Sequence, residues 1–495
     1  AVWLMLVWIL TGIMTVSGAL SFAELAAMMP NAGGQYIYLR EAYGPLPAFL
    51  YGWTNFLIIQ TGFIAAVGVA FAKFLGVLVP TLGTTNVLWT TPLNIDLSIN
   101  VPWMDEPLNF FKRDHFEINA GQLVAVAIAV GLTLLNCLGV REGKWVQNIF
   151  TVAKTAGLLL LIVVGLFVAG NAEAWTMNGA DPWGGIYKTE QFAGVSKIVP
   201  LTSVAIILVL CGAMVGSLFS SDAWANVTFT AGEIKNPSRN LAWSLVLGTG
   251  MVIVLYLLAN VAYLAALPIQ SEPELNHKLQ ALRRVAAESD NANKPAEARA
   301  IRNEIKGLLE RASTFDRGIV EAKDERVATA VMERASPKLG VTVMAIAIMI
   351  STFGCVNGIV LSGSRLYYAM ARDGLFFQSV GRLNARGVPA AGLILQGLWS
   401  ILLVFSGSYI ELLDYVIFAA LLFYVVTVGA LFVLRRKRPD WPRPYRAIGY
   451  PVLPAIYIAL CAIIMLGLLI VKPVYSWPSF IIILAGIPVY WLWRR

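Results

Sequence analysis

Long apolar runs alternate with short polar stretches along almost the whole chain. Gly121 to Leu138, Thr155 to Ala169 and Tyr457 to Val471 carry no charged residue. They are apolar on every face, which marks helices surrounded by lipid rather than helices with one wet side. At about 20 apolar residues per crossing, spans are predicted near 1–29, 46–79, 119–138, 145–169, 201–230, 241–267, 340–371, 389–406, 409–434, 450–471 and 475–493. Eleven crossings put the two ends on opposite sides.

One segment departs from this pattern. Residues 271–338 hold 13 basic and 12 acidic residues, with apolar positions at helical spacing (Leu275, Leu279, Leu282; Ile301, Ile305, Leu308). This predicts a soluble helical insertion. The run SDNANKP ending at Pro295 separates two helices of a hairpin, with a third helix expected beyond Phe315. A solvated cap is the simplest reading, and any partner of the insertion is unknown.

Composition agrees with the pattern. Of 495 residues, 58% are hydrophobic and 13% charged, more apolar surface than a water-facing globule can hide. The fold class expected is an all-α polytopic membrane protein. The formal charge of +8 comes from short loops between apolar runs, with no basic domain, so nucleic acid is not expected as a partner. One set of alternate loops carries Arg40, then Arg141 and Lys144, Lys235 and Arg239, Arg372, Arg382 and Arg386, the run from Arg435 to Arg446, and Arg494 and Arg495. The positive-inside rule makes that set cytoplasmic, with the C-terminus inside the cell's inner membrane and the insertion outside. The opposite loops, 80–118 and 170–200, mix both signs. Residue 1 is Ala within an apolar run without a polar leader, so a segment upstream is expected. Cys137, Cys211, Cys355 and Cys461 lie in apolar segments, far apart in sequence, and neither a disulfide nor a metal site is predicted.

Charged groups inside a bilayer are costly, so each is a site candidate. Lys154 lies ten residues inward from Lys144 and Asp222 eleven from Glu233, roughly 15 Å deep at about 1.5 Å per residue. Three readings stay open: the two pair with each other, the lysine acts alone, or the lysine bonds helix carbonyls. Glu24, Lys73 and Arg365 lie within about two turns of span ends and are expected to snorkel to the interface. Asn55 and Gln60 read as interhelical hydrogen bonders. Leu201 to Ala231 would be about 46 Å long as one helix, so it must protrude, tilt or break. Its centre concentrates Gly212, Gly216, Ser217, Ser220, Ser221 and Ala223, which suits either a break or a close packing face. GxSxG, HExxH and P-loop signatures are absent, and His115 and His277 lie in predicted outer loops, so an enzyme is not expected.

Four stretches resemble the amino acid-polyamine-organocation superfamily, particularly its L-type amino acid transporter-like and bacterial permease members. They are GALSFAELAAMMPNAGGQYIYLREAYGP from Gly18, WANVTFTAGEIKNPSRN from Trp224, SRLYYAMARDGLF from Ser364 and LRRKRPDWPRPYRAIGYPVLP from Leu434. They stand in family order, and the resemblance covers nearly the whole chain. The resemblance implies twelve spans, the first ten forming two inverted five-helix repeats around a central substrate. Residues 1–267 then match spans 2–7 and 340–495 spans 8–12, which leaves the glycine-broken first span without a counterpart here.

The resemblance further implies that Phe219, Ser220, Ser221, Asp222 and Ala223 lie on the unwound sixth span, with Phe219 closing over substrate. Ser221 replaces a usual Tyr and Ala223 a usual Gly, which alters the pocket's size and the ease of unwinding. Lys154 in QNIFTVAKTAG matches the lysine that replaces a sodium ion in sodium-independent relatives, and Ser351 falls near the same position. Animal light chains of the family carry a cysteine in the loop that corresponds to 80–118, for linkage to a heavy chain; this loop has none, so no disulfide-linked heavy chain is expected. The function implied is transport of an amino acid substrate, a small neutral one, by sodium-independent exchange or with a proton and without a cofactor. The alternatives are cationic amino acids or polyamines as cargo, and a receptor that binds without transport.

Overall fold

Chain in hydrocarbon must satisfy its own backbone groups, and the apolar runs do so as helices. The computed structural model describes residues 1–99, 108–184, 187–192, 195–200, 202–291, 294–323, 326–406 and 409–493. The order is α1 (Val2–Met28), α2 (Gln35–Tyr43), α3 (Pro45–Thr54), a π-helical turn (Asn55–Ile59), α4 (Gln60–Leu78), strands β1 (Val87–Ile99) and β2 (Leu108–Asn119), α5 (Ala120–Leu138), α6 (Val140–Phe167) and α7 (Ala172–Ala180). Strands β3 (Tyr187–Phe192) and β4 (Val195–Pro200), α8 (Ser203–Ser220), a 3₁₀ segment (Trp224–Glu233) and α9 (Pro237–Ala266) follow. The remainder is α10 (Pro273–Asn291), α11 (Pro295–Arg311), α12 (Thr314–Arg317), α13 (Val327–Ala335), α14 (Leu339–Arg372), α15 (Ala390–Ser406), α16 (Tyr409–Lys437), α17 (Val452–Val471) and α18 (Pro473–Trp493). Ten helices among the described residues are long and apolar enough to cross a bilayer, and the shorter apolar α15 stands where the span at 389–406 is predicted.

The two loops of mixed charge differ from expectation. Each folds into an antiparallel two-stranded ribbon, β1 with β2 and β3 with β4, the former with register shifts along its length. The signal is present in the sequence: Leu93, Ile95, Leu97 and Ile99 alternate with Asn94, Asp96 and Ser98, the period of a strand.

The chain divides into two compact units. The first comprises Ala1–Leu6, Lys154–Gly185 and Val254–Ile348. Its core gathers Leu161, Ala169, Ala266, Leu267, Val331, Met332 and Met344. Within it α10 packs on α11, and the Arg283 guanidinium pairs with Glu321 at 2.8 Å. Backbone bonds from Ile319 to Pro268 and from Val320 to Ile269 tie the charged segment to the end of α9.

In the second unit α4 packs against α5, α15 and α16, and α8 packs against α17. A Cβ on Gly467 would lie 2.8 Å from Cys211 Sγ, so α17 and α8 approach closely only because that side chain is absent. Snorkelling, the expectation for Glu24 and Arg365, is not what the structure shows. Glu24 is fully buried, where its carboxylate accepts from Arg435 Nε at 2.9 Å, Arg435 Nη2 at 2.6 Å and the Ala447 N–H at 2.7 Å, and pairs with Arg443 at 3.4 Å. Arg365, 4% exposed, pairs with Glu233 at 2.9 Å. Both find charged partners on other elements, Arg435 at the end of α16 and Glu233 at the end of the 3₁₀ segment, which depth along one helix does not reveal.

Candidate functional site

The segment from Ser203 to Glu233 is broken, so the single tilted helix is excluded. Helix α8 ends at Ser220, where Ser221 N–H still reaches Ser217 O at 3.1 Å and Asp222 N–H turns back to Phe219 O at 3.2 Å. Ala223 then takes the left-handed conformation (φ 65°) before the 3₁₀ segment starts at Trp224. Local side chains favour the stop. Ser221 Oγ donates to Ser217 O at 2.8 Å, offering the backbone an alternative to the helical ladder. A hydroxyl ladder joins this end of α8 to α1: Thr11 and Ser217 share a hydrogen bond of 2.7 Å, and Thr15 and Ser221 one of 3.4 Å.

Asp222 follows the break. Its Oδ1 accepts the Tyr424 hydroxyl from α16, and its Oδ2 is buried with no hydrogen-bond partner. Tyr424 stacks on Trp224 with ring centres 5.3 Å apart, and Phe22 from α1 stands edge-on to both. A Cβ on Gly18 would sit 3.0 Å from the Tyr457 ring and 3.2 Å from that of Trp224, so α1 is pressed against this cluster. Beside it lies a cavity of about 20 Å³ lined by Met14, Thr15, Ser221, Asp222, Tyr424 and Tyr457, among others. That space suits one water and no amino acid.

Phe219 is buried against Phe63 of α4, with ring centres 4.8 Å apart. The exposed Ser220 donates its hydroxyl to Gly216 O at 2.8 Å. Beyond the break, the 3₁₀ segment is held at three points. Asn226 donates to Gln60 Oε1 at 3.3 Å, Gly33 N–H donates to Phe229 O at 3.2 Å, and Glu233 pairs with Arg365. Gln60, set just after the π-helical turn, also donates to Ile359 O at 2.6 Å on α14. Gln60 thus makes the interhelical bonds expected of it, and Asn55 accepts weakly from Tyr367 at 3.5 Å. Outside the spans, burial and the hydrogen bond to Asp373 push the Tyr36 phenol well above its ordinary value.

Across the whole chain the match is to known transporters. The family model for amino acid permease matches residues 1–494. The chain belongs to the amino acid permease family. This permease is 26% identical over 496 residues to the b(0,+)-type amino acid transporter 1 of Mus musculus, covering 99% of this chain and 80% of that one. It is 27% identical over 492 residues to the large neutral amino acids transporter small subunit 2 of Mus musculus (99% and 73%) and, over as many residues, 25% identical to the b(0,+)-type amino acid transporter 1 of Homo sapiens (99% and 80%). The permease is therefore a multi-pass α-helical membrane protein of an amino acid transporter family, not an enzyme.

Of the residues singled out in its sequence, Phe219, Ser220, Ser221, Asp222 and Ala223 stand together at the break. Lys154 lies half-buried on α6 in the first unit, and Ser351 half-buried on α14 in the second. Sequence reasoning missed Tyr424, Trp224, Thr15 and Tyr457. For Tyr424 a signal existed: a tyrosine in an uncharged run needs a partner for its hydroxyl.

Proposed function

We propose that the permease carries small neutral amino acids across the cytoplasmic membrane without sodium, by exchange or with a proton. The observation that carries this reading is the helix break at Ser221–Ala223 in mid-span. Carbonyls at the end of a helix carry partial negative charge and suit a substrate ammonium, and a helix N-terminus suits its carboxylate. Phe219, Ser220, Ser221, Asp222 and Ala223 form the substrate side of the site. Lys154 supplies fixed charge in place of a coupling ion, and Ser351 is a separate, weaker candidate for an ion-site role. The similarity to a large neutral amino acids transporter supports a neutral cargo, not the small size of its side chain.

A second reading keeps transport and changes the cargo to cationic amino acids or polyamines. It is favoured by Asp222 Oδ2, buried without a partner, which suits a second ammonium. Residues 1–267 and 340–495 serve as the family's spans 2–7 and 8–12, with 271–338 as an outer soluble insertion and the C-terminus inside. The lack of cysteine in residues 80–118 supports a permease that works without a disulfide-linked heavy chain. Competition among leucine, alanine, arginine and putrescine for uptake into liposomes separates the two cargoes. Saturable binding without flux would mark a receptor instead.

A further inference from the structure

The run from Arg435 to Arg446 holds six cations, Arg435, Arg436, Lys437, Arg438, Arg443 and Arg446, against one acid, Asp440. The structure divides them into two sets. Arg435 and Arg443 are committed to the buried Glu24, Arg435 lies over the Tyr450 ring at 3.6 Å, and Lys437 donates to Ala42 O at 2.9 Å. Arg443 also donates to the carbonyls of Leu434, Arg438, Pro439 and Trp441 at 2.8–3.3 Å, so it fixes the path of the loop around itself. Arg436, Arg438 and Arg446 are exposed and have no acidic partner among the described residues.

We propose that Arg436, in the last turn of α16, and Arg438 and Arg446, on the loop between α16 and α17, form a binding site for the headgroup of an anionic phospholipid. Two observations select a lipid. The loop borders a membrane span, and beside Arg446 the apolar side chains of Ile448 and Val452 are 63% and 60% exposed at the start of α17. Hydrocarbon below guanidinium groups is the arrangement of a phospholipid's own tail and phosphate. The second is rigidity: the loop is held by Glu24 and Arg443 before any ligand arrives, so little ordering opposes binding. A merely topological role for these arginines requires positive charge on this side of the membrane but no selectivity among lipids.

The proposal does not depend on the substrate assignment and is tested apart from it. The full-length permease is reconstituted in phosphatidylcholine with equal amounts of brominated phosphatidylglycerol or brominated phosphatidylcholine. Fluorescence quenching of Trp441, which lies 5.4 Å from the Arg438 guanidinium, is read as the difference from Trp441→Phe. Each basic group near an anionic surface strengthens association about fivefold, so three allow a preference of up to about a hundredfold for the anionic lipid. The expected result is preferential quenching by brominated phosphatidylglycerol, weakened by Arg436→Gln, Arg438→Gln or Arg446→Gln and lost in the triple variant. Equal quenching by the two lipids, or a preference unchanged in the triple variant, overturns the proposal. So does abolition of the preference by inorganic phosphate while a matched concentration of chloride leaves it intact, since that marks a site for free anions.

Discussion

Removing Glu24 leaves two guanidinium groups and a backbone N–H facing an apolar gap. In Glu24→Ala the bonds from Arg435 at 2.9 and 2.6 Å, from the Ala447 N–H at 2.7 Å and the contact to Arg443 at 3.4 Å are all lost. Removing one partner of a buried pair costs about 3–5 kcal/mol. Two features push the value to the low end of that range. The side chains of Arg435 and Arg443 retain 24% and 10% exposure and can draw in water, and both keep other contacts: the Tyr450 ring for one, four carbonyls for the other. A loss of about 3 kcal/mol is expected, with Glu24→Gln intermediate because an amide oxygen still accepts the Ala447 N–H. The assay is thermal unfolding of the detergent-solubilised permease together with limited trypsin digestion. Glu24→Ala should unfold several degrees below wild type, and cleavage should accelerate at the basic residues between 435 and 446. Unchanged unfolding with an equally resistant loop would show that the buried network contributes nothing to holding α1 to this loop.

Other substitutions test neighbouring parts of the fold. Gly34 has φ 44°, and a Cβ there would lie 2.8 Å from the Thr228 backbone carbon. Gly34→Ala should therefore destabilise by about 2 kcal/mol or more, read as a lower unfolding temperature. Ala223→Gly relieves a left-handed alanine at the break, worth about 1–2 kcal/mol, but loses about 0.5–1 kcal/mol to glycine's freedom in the unfolded chain, so unfolding should be unchanged or slightly later. Ala223→Val should unfold earlier than either. Arg365→Ala should destabilise more than Glu233→Gln, because Arg365 is buried and also donates to Leu361 O at 2.6 Å, whereas the Glu233 side chain is 39% exposed. Equal unfolding temperatures for that pair would contradict the burial argument.

The spans were legible because lipid demands uncharged runs, and each run became a helix. The break was legible only in part: the small residues around Ser220 suit unwinding and close packing alike, and the Ser221 bond to Ser217 O that favours stopping is a local choice that composition does not settle. The ribbons were legible in the alternation from Leu93 to Ile99 but lay in loops judged by charge alone. Glu24 was misread because its partner Arg435 lies 411 positions away, and depth along one helix says nothing of what faces it. Tyr424 escaped for the same reason, since its importance arises from Asp222, 202 positions earlier. For Lys154 and Ser351 the structure adds a helix and a degree of burial to what the resemblance implied.

Counterflow measures the central claim most directly. The full-length permease in liposomes loaded with unlabelled leucine is given labelled leucine outside, with sodium replaced by choline throughout. The account predicts transient accumulation of label above that in protein-free liposomes, greatly reduced in Lys154→Ala. Absence of flux, or flux that appears only when sodium is restored, contradicts it.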